Sequence, residues 1–190
     1  LLSALLTVCS RLYDREIMSG SDKGKGGGVR GGYQQPQGPS VEEKASEAIG
    51  KALDQWETEE KITTLPIRVG DVDKVIQEHA KANGNTLANN SMYFTGKGLS
   101  HSRRASKIRD GIAVSKEDFK KFSMNKSTMK IYYDKTTKNY TYTDGHNKFV
   151  LQTNVKVKLK NGKTSSSTLV TASKMRNDVE FAMSKYIRLK

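Results

Sequence analysis

The sequence predicts an α+β fold in which N-terminal helices pack on a basic antiparallel β-meander of about four strands, with a C-terminal helix. Three observations predict it. Apolar residues recur at helical spacing through residues 40–60 and again after residue 173. Between residues 129 and 172 the period changes to two, most cleanly where Val155, Val157 and Leu159 alternate with Lys156, Lys158 and Lys160. Asn161-Gly162, set between two such runs, is a strong two-residue hairpin signal.

The organisation expected is a leader and disordered Gly-rich arm over residues 1–39, a helical segment over 40–92 and a basic α+β domain over 93–190. The opening LLSALLTVC is as long as a signal-peptide core, lacks a basic flank and is too short to span a membrane. Met18 is the expected natural start, with residues 1–17 outside the functional protein. Residues 19–39 are rich in Gly, Gln and Pro and too poor in apolar side chains to offset the entropy of ordering. They read as a flexible arm in which Lys23, Lys25 and Arg30 are free to touch a polyanion.

Ser40 and Glu43 form a capping-box pattern ahead of a stripe of Val41, Ala45, Ala48, Ile49, Ala52, Leu53 and Trp56, so a helix runs to about Glu60. Residues 62–69 read as extended. A second helix follows, capped by Asp71, carrying Val72, Val75, Ile76, His79 and Ala80 on one face and stopping at Asn83-Gly84. Residues 85–92 form a polar loop. Gly96-Lys97-Gly98 is a tight basic turn, and Ser100 caps a helix that runs to Asp110 and is closed by Gly111. Ser115 caps another, with Phe119 and Phe122 inward. Strands are expected at 129–134, 140–143, 148–160 and 163–172. The last helix starts at Ser173 and buries Met175, Val179, Ala182, Met183, Tyr186 and Ile187.

Charge narrows the choice of partner. The chain's formal net charge is +13, and it is unevenly spread. Residues 94–190 hold 22 Lys and Arg against 7 Asp and Glu, leaving 11 against 13 for residues 1–93. A half this basic attracts polyanions in a salt-sensitive way, so nucleic acid is the expected partner, RNA ahead of DNA. Cys9 is the single cysteine, which excludes an internal disulfide and a cysteine-based zinc site. His79, His101 and His146 are far apart in sequence and no carboxylate pair joins them, so neither a metal nor a cofactor is expected. His79 lies on an apolar stripe and His146 in a turn; both read as structural. There is no nucleophile-elbow motif.

His101 is different, because it lies among phosphate-seeking cations: Lys97, Arg103, Arg104, Lys107 and Arg109. Cleavage of RNA without a metal needs a base for the 2′-hydroxyl, a proton for the leaving oxygen, and positive charge on the phosphate. An imidazole titrates in the range that suits proton transfer, and lysine, arginine and threonine hold phosphate oxygens. His101 with Lys97, Arg103 or Arg104 fits these roles, and Thr168, Thr171 and Lys174 are candidates to complete the set. Candidate nucleic-acid contacts are Arg103, Lys107, Arg109, Lys156, Lys158, Lys160 and Lys174.

The run GKGLSHSRRASKIRDGIAVSKEDFKKF, followed by a basic meander ending in TLVTASK, resembles the barnase/EndoU/colicin/RelE-type nuclease superfamily over residues 93–172. That resemblance implies a metal-independent endoribonuclease of bacterial toxin or phage type. By position it makes His101 the acid–base residue, Lys97 and Arg104 the phosphate cations and Thr171 the polar residue of the final strand. It also implies an acidic protein partner of the immunity kind. The expected location is the cytoplasm, a target cell after delivery, or a virion, with no membrane association. The alternative is a non-enzymatic DNA- or RNA-binding protein of a phage or mobile element, using the lysine-studded strand for phosphates and Tyr132, Tyr133, Tyr140 and Tyr142 for base stacking. A third reading is an interaction protein that docks through the helix at 40–60.

Overall fold

The structure, a computed structural model, describes residues 38–177 and 181–190. The expectations for the leader and the Gly-rich arm, and for Val179, lie outside the described residues. What is described is α+β, and its sheet is larger than the meander expected and of mixed direction.

The first helix, α1 (Val41–Glu59), begins as the sequence dictates. Ser40 Oγ accepts from the Glu43 backbone N–H at 3.1 Å, and Glu43 Oε2 accepts from the Ser40 N–H at 2.7 Å. Ala45, Ile49, Ala52 and Leu53 are buried, while Val41 stays exposed because it precedes the contact face. A short strand β1 (Ile67–Asp71) follows, then α2 (Lys74–Ala82). The residue preceding α2 is Asp73, not Asp71. Asp73 Oδ1 accepts from the Tyr142 hydroxyl at 3.1 Å, so its carboxylate is drawn into the fold and gives no side-chain cap.

Strand β2 (Ser91–Phe94) leads into two short helices, α3 (Gly96–Ser102) and α4 (Ala105–Arg109), and then α5 (Lys116–Asn125). Four longer or central strands and one short edge strand complete the chain: β3 (Lys130–Asp134), β4 (Tyr140–Thr143), β5 (Asn147–Leu159), β6 (Gly162–Lys174) and β7 (Tyr186–Arg188). The sheet order is β1-β2-β6-β5-β4-β3-β7. Strands β3 to β6 are the expected antiparallel meander, and Gly162 closes its long hairpin at φ 119°, a conformation that suits glycine. Three further strands extend it to seven. β2 runs parallel to β6, and β1 pairs antiparallel with β2.

The expected C-terminal helix is not formed over the described residues. Tyr186–Arg188 is extended and pairs with Tyr132–Asp134 on the edge of the sheet. Phe181, outside the expected stripe, stacks on Tyr132 with ring centroids 4.2 Å apart, while Met183 and Ile187, expected to be buried, are exposed. The segment expected to be helical over 40–92 contributes β1 and the start of β2 to the same sheet as the basic strands.

The core is a single cluster. Phe94, Phe119, Phe122 and Phe149 meet edge to face or tilted, with Phe122 and Phe149 centroids 4.6 Å apart. His79 is part of this architecture: its ring lies 4.4 Å from that of Tyr133, and Nδ1 is 3.1 Å from the Tyr140 hydroxyl. No helix among the described residues is long and apolar enough to cross a membrane.

Candidate active site

The site begins with a close approach. Thr95 caps α3, its Oγ1 accepting from the Gly98 N–H at 3.1 Å. Gly96-Lys97-Gly98 is therefore the first helical turn and not the tight turn expected. The Gly98 N–H is already engaged by this cap. A Cβ on Gly98 would intrude on the Leu169 carbonyl oxygen of β6, so glycine is what lets α3 lie directly on that strand. Ser102 fastens the far end of the helix: its buried hydroxyl donates to the Gly98 carbonyl at 2.7 Å and accepts from the Ala172 N–H at 2.8 Å.

The helix expected to continue to Asp110 stops at Arg103. The Arg103 N–H bonds to the Leu99 and Ser100 carbonyls, and Arg104 is extended before α4 begins. Arg104 is thus outside the helix of His101, in the link that precedes α4. The loop after α4 is tied back by the Ile112 and Ala113 N–H groups to the Lys107 carbonyl, at 2.9 and 3.1 Å.

Two bulges shape the strand side. Val150 faces Thr171 and Leu151 faces Leu169, so Val170 is an extra residue in β6. Leu169 and Ala172 enter the core, while Val170 and Thr171 both line the opposite groove. Gln152 faces Thr168 and Val155 faces Ser166, which leaves an extra residue in β5. Asn154 takes this bulge at φ 54°. Its side-chain amide holds the preceding loop: Nδ2 donates to Asn85 Oδ1 at 2.9 Å and to the Thr86 carbonyl at 3.1 Å, and Oδ1 accepts from the Ala88 N–H at 2.9 Å.

The result is a groove of about 550 Å³ between α3 and the β5–β6 hairpin. Lys97 and His101 line it from α3, Gln152, Val155, Lys156 and Val157 from β5, and Thr168, Val170 and Thr171 from β6. Its size is in the ordinary range for small-ligand sites, roughly 300–1,000 Å³. Of the candidate catalytic residues, His101, Lys97 and Thr171 share this groove. Arg104 lines a neighbouring pocket with Trp56, Glu57 and Ile108, yet its charge reaches His101. Partial desolvation, then the positive charges of Lys107, Arg104 and Lys97, hold the His101 imidazole below its ordinary 6.5. It is therefore neutral, and able to accept a proton, at neutral pH.

Lys107 is not on the surface. It is 7% exposed, and its Nζ donates to Thr171 Oγ1 at 2.6 Å and to the Ala172 carbonyl at 2.7 Å. Burial, with Arg104 and Lys148 nearby, lowers its pKa to about 8. Among the described residues no carboxylate forms an ion pair with it. Arg103 is also turned inward, donating from Nη1 to the Val114 carbonyl at 2.9 Å and pairing with Glu57 at 3.4 Å. Arg109 is exposed beside Asp110. Lys156 reaches the groove, Lys158 and Lys160 are exposed further along the hairpin, and Lys174 lines a different pocket with His146 and Arg176.

Three of the four tyrosines considered for base stacking are buried: Tyr133 at 9%, Tyr140 at 1% and Tyr142 at 0% exposure. Tyr132 is covered by Phe181. They are core and edge packing, which removes the stacking platform from the binding-only alternative. Sequence reasoning missed Gln152, Val155, Val157 and Val170 as groove residues. The alternation set Val155 and Val157 on one face, and Val157 is indeed buried; what the pattern does not signal is the bulges, which bring Gln152 and Val170 to the groove wall.

No three His, Cys, Asp or Glu side chains among the described residues are grouped so as to hold a metal ion. Comparison of the chain with models of protein families, with curated proteins and with solved structures finds no match in any of the three.

Proposed function

We propose that the chain is a metal-independent endoribonuclease acting through the groove between α3 and the β5–β6 hairpin. One observation carries the reading: a neutral imidazole and a lysine of α3 line one groove with a threonine of β6 seventy residues later, and Lys107 and Arg104 add positive charge at the imidazole. In this reaction His101 accepts the 2′-hydroxyl proton. The 2′ oxygen attacks the adjacent phosphorus, and the bond to the 5′ oxygen breaks. That oxygen leaves with a proton from water, giving a 2′,3′-cyclic phosphate and a 5′-hydroxyl end. Lys97 and the Thr171 hydroxyl hold the phosphate oxygens as negative charge builds on them, and Arg104 adds positive potential from the neighbouring pocket. Lys156 extends the contact along the backbone. The toxin or phage context and an acidic inhibitory partner remain part of the proposal through the superfamily resemblance.

The test is incubation of the full chain with labelled RNA in EDTA, beside His101→Ala. The parent should cleave and leave cyclic-phosphate ends. His101→Ala should lose about 10²- to 10⁴-fold in rate, with unchanged thermal unfolding. Because the base must be neutral, the parent's rate should rise with pH through a midpoint below 6.5 and then level off on that limb. Equal cleavage by His101→Ala would sink the assignment. RNA retention without cleavage, weakening with salt, would leave a binding protein in its place.

A further inference from the structure

We infer that Lys107 is a positioning residue for the reaction proposed above, its ammonium fixing the Thr171 hydroxyl so that the hydroxyl proton is offered to phosphate in the groove. The inference rests on the cleavage reading and changes the role of Lys107 from surface contact to internal support.

The argument is one of donors and acceptors. A lysine ammonium has three N–H donors and no acceptor. At 2.6 Å from Thr171 Oγ1 it occupies one lone pair of that oxygen, so the Thr171 O–H cannot point at Lys107 and must point elsewhere. Thr171 lines the groove beside His101 and Lys97. The second contact, to the Ala172 carbonyl at 2.7 Å, prevents the ammonium from swinging away. The Lys107 backbone is fixed too, because its carbonyl accepts from the Ile112 and Ala113 N–H groups, and the Ile112 carbonyl accepts from the Lys174 N–H of β6 at 2.8 Å. A neutral amine has a lone pair of its own. The Thr171 hydroxyl can then turn and donate to Lys107, withdrawing its proton from the groove.

Burial first, then the cations Arg104 at the start of α4 and Lys148 of β5, lower the Lys107 pKa to about 8, within reach of a rate profile, and the Lys107 charge in turn acts on His101 of α3. The ammonium form is present below that value and is lost as pH rises through it. Cleavage should therefore show a second, alkaline limb with a midpoint near 8.

The experiment compares the full-length parent, Lys107→Met, Lys107→Arg, Thr171→Val and the Lys107→Met/Thr171→Val double variant on labelled RNA in EDTA, between about pH 5 and about pH 10. Lys107→Met should lower kcat by about 10- to 100-fold, the loss expected when a hydrogen bond from a charged group is removed. KM should change little and the alkaline limb should vanish. Lys107→Arg, charged throughout this range, should retain most of kcat and also lack that limb. The double variant should be no slower than Thr171→Val alone, since both changes remove one device. Parent-like kcat and pH profile in Lys107→Met, or losses that simply add, would overturn the inference. A second readout needs no RNA: the Thr171 methyl resonance in protein with ¹³C-labelled threonine methyls. It should titrate near pH 8 in the parent and stay flat in both Lys107 variants. A parent methyl that does not titrate there overturns the Lys107–Thr171 coupling alone, whereas a parent that does not cleave overturns the proposed function.

Discussion

Ser102 shows how much of the site depends on one small side chain. Its hydroxyl is fully buried and used twice, toward Gly98 of its own helix and toward the Ala172 N–H of β6. Ser102→Ala removes the acceptor of a buried backbone N–H, a change that costs about 1–3 kcal/mol. The expected result is a lower denaturant midpoint at unchanged slope. A midpoint equal to that of the parent would mean that α3 is held on β6 by Gly98 packing alone. Ser102 was invisible as a strut in the sequence, where SHSRRAS offers three serines with nothing to rank them. His101 and Thr171 were visible because their chemistry is distinctive. Lys107 was visible only as a cation, since its burial depends on a strand more than sixty residues later.

Elements whose signals are local were legible. The capping box of α1 reads directly from adjacent residues and stands where expected, and the long hairpin is formed with its turn one residue early, at Lys160-Asn161 between the paired Leu159 and Gly162. Elements made by pairing were not. β2 is four residues, SMYF, without alternation, and becomes a strand because β6 lies beside it. The Met175–Ile187 spacing fits a helix, yet the edge of β3 takes Tyr186–Arg188 as a strand. The break at Arg103 and Arg104 carries no Gly or Pro to announce it. The β5 bulge is the most consequential of these, because it presents Gln152 and Val155 to the groove. Asn154 holds it with three hydrogen bonds at a backbone angle that asparagine tolerates better than most residues. Asn154→Ala loses those bonds and keeps the strained angle. It should destabilise the protein by about 2 kcal/mol in chemical denaturation and slow RNA cleavage, through a groove wall no longer held in place. Unaltered stability would show that the loop at residues 85–88 is kept in place by other interactions.

At the scale of the whole molecule, charge and geometry divide the labour. The basic excess of residues 94–190 is not spread uniformly over one surface. Lys107 and Arg103 are committed to internal bonds, Lys116 pairs with Asp54 of α1, and Lys126 reaches Asp73. Lys97 and Lys156 line the groove, and Lys158 and Lys160 continue along the hairpin beyond it. A single RNA strand that leaves the groove along β5 would meet those two lysines after the reacting phosphate. Their attraction would be electrostatic and without base preference, so each contributes to affinity through counterion release. Lys158→Ala/Lys160→Ala should therefore weaken RNA binding and reduce the steepness of its salt dependence by about 0.7 for each phosphate no longer neutralised. The cleavage rate at saturating RNA should stay at the parent value, because neither side chain lines the groove that holds His101. A parent-like salt slope in the double variant would send the strand out of the groove by another route. A fall in the saturated rate would instead mean that the hairpin helps to align the phosphate with His101.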